Sequence, residues 1–233
     1  MPLRPAGTRA IPPGVSTHRI AIHTDGALVQ GNERQIELIA RGLLARGHEV
    51  HIVARRDTPA WDLFAATGAV MSDRRPRGAA DLWSAFRYRS WLRRLRPDAL
   101  LITSWRKAPV SAVAARSAGV PRIVLRFGGR HDIGTGLRHL HYRFALLRLI
   151  DHTYVISSPL REYLLRALRE LPHSHVSVIF NGLDPVDVEP ARIHTELELD
   201  PAVRFVTAVG GLVPLKGFDV LIRAFAAAWS TRR

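Results

Sequence analysis

Lysine occurs at two positions only, Lys107 and Lys216. The second stands in the run RFVTAVGGLVPLKGFDVLIRAF, Arg204 to Phe225. This run reads as a buried strand (Phe205 to Val209), a turn at Gly210 and Gly211, and a loop ending in Lys216–Gly217. A helix follows, with Phe218, Leu221, Ile222 and Phe225 on one face. A strand that feeds a helix through glycines leaves backbone N–H groups free at the helix N-terminus. With a lysine beside them, such groups suit a phosphate or diphosphate. The alternative role of Lys216 is a solvated cation next to a helix start.

Three other groups of residues are candidates for chemistry. Gly31–Asn32–Glu33 opens a helix after a loop, where Gly31 turns the chain. Arg130 and His131 follow Gly128–Gly129 at the end of an apolar strand. Ser157 and Ser158 begin a helix after another strand, and an N-cap role accounts for Ser158 equally well. His139 and His141 flank one residue of a predicted helix and therefore point apart, which argues against a metal site there.

The elements that must position these groups alternate regularly. Arg19 to His23 is a short apolar strand, and Thr24 to Gly31 a loop. The helix beyond it carries Ile36, Ile39, Ala40, Leu43 and Leu44 at helical spacing, with Asn32 as N-cap, Gln35 as its capping-box partner and Gly47 as the stop. Glu49 to Ala54 is the next strand. Residues 57–78 read as loop with a short helix near Trp61 to Ala66. Asp81 to Leu95 is a helix expected to bury Leu82, Phe86, Leu92 and Leu95. Ala99 to Thr103, Arg122 to Phe127, His152 to Ile156 and Val176 to Phe180 are strands. Helices over Pro109 to Ser117, Leu137 to Ile150 and Ser158 to Leu171 separate them. The strands are apolar throughout, as in a sheet covered on both faces, so the fold class is α/β, a doubly wound parallel sheet.

Composition narrows the rest. The chain has 233 residues, 47% of them hydrophobic, no cysteine and a net charge of +14. Disulfides and thiolate metal sites are thereby excluded, and a reducing cytosol is compatible. The first 18 residues, rich in proline and arginine, read as a disordered leader and not a signal peptide. No apolar run approaches the roughly 18 residues that span a bilayer. The location expected is cytoplasmic, at most peripheral to the inner membrane face. The helix around Trp83 to Leu95 sets Arg87, Arg89, Arg93, Arg94 and Arg96 beside Phe86, Tyr88 and Trp91, a pattern suited to an anionic membrane surface as well as to a solvated face. No nucleic-acid reading module appears, so no nucleic-acid partner is expected. The first loop lacks the G-x-G-x-x-G of dinucleotide-binding folds, which disfavours a nicotinamide enzyme.

Taken in order, Gly31-Asn32-Glu33-Arg34 with Arg46-Gly47-His48-Glu49-Val50, then Gly119-Val120-Pro121, Ile179-Phe180-Asn181-Gly182-Leu183-Asp184, and Val209-Gly210-Gly211-Leu212 through Lys216-Gly217 resemble a retaining glycosyltransferase of the GT-B type, family 4. The resemblance covers nearly the whole chain from Arg19. It implies a Rossmann-like N-terminal domain on the acceptor side and a C-terminal domain that holds a nucleotide-sugar donor. It implies sugar transfer to a glycan or lipid-linked acceptor, as in envelope polysaccharide or glycolipid synthesis. No cofactor and no metal are implied, and the sequence has no D-x-D pair. By resemblance, Gly31, Gly211 and Lys216 are donor-binding positions, and Asn32, Glu33, Arg130 and His131 belong to acceptor-side loops. Two departures stand out. The family's arginine after Gly210 is Gly211 here, a loss of about 1.5–3 kcal/mol in diphosphate binding. The histidine expected right after the strand ending at Phe127 comes late, as His131, which reaches the cleft only if the loop folds back and otherwise lies on the surface, the expected place.

The boundaries expected are a leader over 1–18, the N-terminal domain over 19–182, a linker over 183–201 and the start of a donor domain over 202–233. An enzyme of two such domains needs roughly 300–400 residues. The second domain is therefore expected to be incomplete and the chain inactive in transfer, with the non-catalytic alternative an arginine-rich domain bound to an anionic membrane. Phe205, Val206, Phe218, Leu221, Ile222 and Phe225 are expected to be poorly covered or packed on the first domain.

Overall fold

Strands made mainly of Ile, Val, Leu, Ala and Phe need neighbouring strands and cover on both faces, and the strands of the first unit obtain the neighbours from one another. In the computed structural model, which describes residues 16–78, 81–131, 133, 139–184 and 192–230, seven strands form one sheet in the order β3-β2-β1-β4-β5-β6-β7. They are β1 (Arg19–His23), β2 (Glu49–Val53), β3 (Val70–Ser72), β4 (Ala99–Ile102), β5 (Arg122–Phe127), β6 (His152–Val155) and β7 (Val176–Val178). Every pair is parallel; Ile22, for example, faces Ile52 on one side and Leu101 on the other. Helices α1 (Gly31–Leu44), α2 (Pro59–Ala65), α3 (Leu82–Leu95), α4 (Ala108–Ala118), α5 (Leu140–Phe144) and α6 (Ser158–Ala167) connect them. The doubly wound α/β class is thus the observed one.

Side chains of one strand alternate between two cores. Ile22, Ile52, Ile36, Ala40 and Phe64 pack together where α1 and α2 meet the sheet. Ala21, Leu100, Ile102, Ile123 and Leu125 pack on the opposite side with Tyr88, Leu92, Ala112, Leu146 and Leu164. Burying one such Leu, Ile or Phe stabilises by about 1.5–3 kcal/mol, so the two cores dominate the stability of this unit.

Several expectations change. Residues 57–78 contain β3 as well as a helix; three residues on a sheet edge are too few for a period-two pattern to show. In α3 the buried side is Ser84, Tyr88 and Leu92, whereas Leu82 is 77% and Phe86 55% exposed. The phase is set by the aromatic ring of Tyr88, which is apolar enough to enter the core. The Asn32 cap is not formed: Gln30 holds the N-cap position, and Glu33 accepts from the Gln30 N–H at 3.3 Å. Gln35, instead of capping, exchanges two hydrogen bonds with the backbone of Gly182 at 2.7 and 2.8 Å, tying α1 to the chain beyond β7. Beyond α5 the helix widens into a π turn over Ala145–Leu149, where the Ile150 N–H donates to the Ala145 carbonyl five residues back at 2.9 Å.

The chain divides into two compact units, one through residue 185 and one from residue 186. The second contains α7 (Ile193–Glu196), a 3-10 turn at Pro214–Lys216 and α8 (Phe218–Ser230). Phe205 to Val209 forms no strand, a correction with a simple cause: extended backbone becomes a strand only when a neighbouring strand takes up its N–H and C=O groups. Val206 is 65% and Ile222 68% exposed, and no residue of α8 is buried. The poor cover expected of these side chains is observed, with Phe218 the half-buried one among them.

Candidate functional site

In parallel open sheets, ligands settle outside the carboxyl ends of the strands where the strand order reverses, because two connections leave in opposite directions there and open a crevice. Here that point lies between β1 and β4. A cavity of about 280 Å³ occurs there, lined by Asn32, Ser104, Trp105, Arg106, Arg126 and His131 together with Gly128 and Gly129. Asn32 comes from the first turn of α1, Ser104 to Arg106 from the turn after β4, and Arg126 to His131 from the end of β5 and its loop.

Arg126 is the charged centre of this crevice and is only 5% exposed. Its guanidinium donates to Asn32 Oδ1 and, at 3.0 Å, to Asn181 Oδ1. Burial pulls its pKa below the usual arginine value, partly countered by Tyr154 and Glu33. Gly128 makes the position available: a Cβ there would stand 2.5 Å from the guanidinium. Glu33 is also buried, but its carboxylate accepts from Asn32 Nδ2 at 3.0 Å and from the Gln30 N–H, so it organises the helix start.

One wall is aromatic. Trp105 stacks on His131 with centroids 5.2 Å apart and on Tyr142 at 4.6 Å, while Phe127 meets Trp105 edge-on at 5.1 Å. His131, expected on the surface, is a half-buried wall residue of the crevice, held by this stacking. Burial first, and the charge of Arg106 second, lower its pKa, which favours the neutral imidazole. Arg130 turns away, its guanidinium 4.7 Å above the ring of Tyr163, and lines a separate cavity with Gly129 and Ser157.

Behind the crevice, His23 at the end of β1 is fully buried, with Nδ1 2.8 Å from Ser111 Oγ. Burial, then Arg75 and Lys107, lower its pKa to about 3. This Ser–His contact has no access to a substrate and serves to place the strand end. Gly31 is exposed at the first position of α1, with nothing near the place of a Cβ. Gly211 and Lys216 belong to the second unit, both exposed. The glycine that the first loop requires sterically is Gly26, where a Cβ would fall 2.0 Å from Glu33 Oε1.

Sequence reading passed over Arg126, Trp105 and Arg106. Arg126 had a signal: a charge inside the otherwise apolar run RIVLRF, in a strand covered from both sides, needs a polar partner or a ligand.

Among the described residues, no helix is long and apolar enough to cross a membrane. Comparison with curated proteins finds no match. Among solved structures, the chain is similar to a glycosyltransferase from Rickettsia africae, with 16% identity and a TM-score of 0.64 over 81% of this chain and 52% of that one. It is similar to HepE from Anabaena in complex with UDP-glucose, at 16% identity and TM-score 0.58 over 78% and 50%. The galactosyltransferase WaaB of the lipopolysaccharide outer core matches at 16% identity and TM-score 0.51 over 75% and 49%. At such identities these likenesses speak for the fold, and the chain spans about half the length of each of these structures. The model of Glycosyltransferase Family 4 matches residues 29–187, a stretch that begins just before α1, includes all the walls of the crevice and ends beyond Gly182. The chain therefore belongs to Glycosyltransferase Family 4.

Proposed function

We propose that the seven-stranded unit is the acceptor side of a transferase that moves a sugar from a nucleotide-sugar donor to a glycan or lipid-linked acceptor, without a metal or other cofactor. The observation that carries this reading is the crevice at the switch point. A flat aromatic wall, Trp105 with His131, faces hydrogen-bonding groups of Asn32 and Ser104 across a space of about 280 Å³. Sugar rings offer such a site both an apolar C–H face and a rim of hydroxyls. The UDP-glucose complex of HepE supports a nucleotide sugar as donor, with Lys216 of the second unit placed against its diphosphate. Peripheral contact with an anionic membrane belongs to the same proposal, supported by Leu82, Trp83 and Phe86, which stand exposed beside Arg87 in the first turns of α3.

Saturation-transfer NMR on the purified chain tests the acceptor reading. Oligosaccharide protons are expected to receive magnetisation in the wild type, and at least ten-fold less in Trp105→Ala. No transfer to any member of a panel of glycans and lipid-linked saccharides would sink it. Retention on anionic but not neutral liposomes, lost at high salt and in Trp83→Ala, checks the membrane contact.

A further inference from the structure

Arg126 is the feature of the crevice that a neutral sugar leaves unexplained. A guanidinium withdrawn from water loses several kcal/mol of solvation unless an opposite charge replaces it. Here the groups that receive its hydrogen bonds are amide oxygens of Asn32 and Asn181. Among the described residues, no carboxylate lies within 4.0 Å of it, and none lines the crevice. Glu33, the acid whose field reaches it, is engaged by Asn32 and Gln30. A second cation, Arg106, is exposed in the same wall, near enough for its charge to act on His131. Asn32 and Gly128 hold the first guanidinium in place without neutralising it.

We propose that this crevice selects an acceptor carrying an oxyanion, a phosphate or a carboxylate, which binds Arg126 with Arg106 at the rim. Planar guanidinium forks match both groups in charge and geometry. The oxyanion restores the charge balance that the fold leaves open, while the aromatic wall takes the adjoining sugar ring. This assignment rests on reading the crevice as the acceptor side, and it names the class of acceptor.

The test reads oxyanion binding without turnover. In the purified chain, inorganic phosphate is expected to move the amide signals of Gly128 and Gly129 saturably. Arg126→Gln is expected to weaken the effect at least ten-fold. Asn32→Asp, which keeps the arginine but gives it a carboxylate, is expected to do the same, with circular dichroism showing that both variants fold. Glucuronate is expected to bind at least ten-fold more tightly than glucose, and saturating UDP is expected to leave glucuronate bound. Absence of saturable phosphate shifts, full binding in Asn32→Asp, or equal affinity for glucose and glucuronate would each overturn the proposal. Displacement of glucuronate by UDP would overturn it as well, since the oxyanion would then be the donor's diphosphate. Neutral oligosaccharide transfer that depends on Trp105, found without any phosphate response, would leave the acceptor reading standing and remove only the charge preference.

Discussion

Two glycines of the first loop, five residues apart, illustrate what single residues do here. Gly31 drew notice in the sequence because it opens a helix, yet a side chain at that place meets open space. Gly26 drew none, though its missing Cβ is what lets the Glu33 carboxylate reach the start of α1. Gly26→Ala is expected to destabilise by about 1–3 kcal/mol, as an overpacked site does. Gly31→Ala is expected to be neutral or to stabilise by up to about 1 kcal/mol through the lower entropy of the unfolded chain. Urea unfolding of the two variants side by side checks the contrast. The sequence shows which residue types are present but not which atoms meet across a loop, and so the steric role of Gly26 does not stand out in it. For the same reason the sequence leaves the place of His131 open: its stacking on Trp105 joins loops 26 positions apart in sequence, and no spacing pattern encodes that.

At the scale of elements, most of the fold was legible. Apolar runs mark β1, β2, β4, β5, β6 and β7 directly, and α1 follows its apolar stripe. The failures share a cause, which is that partners decide. β3 exists because β2 offers it an edge, and the stretch from Phe205 to Val209 is no strand for lack of one. The role of Gln35 was set in the same way. Its amide serves the backbone of Gly182, 147 residues away. Gln35→Ala removes both bonds and is expected to cost about 1–3 kcal/mol. Hydrogen exchange should detect the change at the Gly182 amide before it is seen in the sheet. The exposed ion pair of Arg41 with Asp184, 2.9 Å apart, spans the same junction but contributes at most about 1 kcal/mol.

For the whole molecule, the balance of protons matters as much as that of apolar area. His23 is neutral and enclosed in the folded state, its pKa lowered from 6.5 to about 3 by burial, Arg75 and Lys107. Between those values the unfolded chain binds the proton and the folded chain does not. Stability from this group is therefore complete above about pH 6.5 and is lost as the pH falls toward 3, by about 1.4 kcal/mol per pH unit within the window. Unfolding free energies of wild type and His23→Gln, measured from pH 7.5 to 4.5, are expected to converge as the pH falls, the variant showing the shallower slope. The family was legible from the order of short motifs along the whole chain. The crevice was legible in part: the family's motifs pointed to Asn32 and His131, which line it, while Arg126 and Trp105 come together only when β4 and β5 lie side by side.

The π turn at Ala145–Leu149 bears on that crevice in a further way. A π turn holds one residue more than an α turn, and it stands between Tyr142 and the buried Ile150. Each residue of an α-helix advances the helix by about 100°. Deleting one residue from the π turn would therefore restore regular helix while rotating Tyr142 by about that angle, away from the face of Trp105. The extra residue works as an angular spacer, and it lets the helix anchor itself in the core at one phase while presenting a ring to the aromatic wall at another.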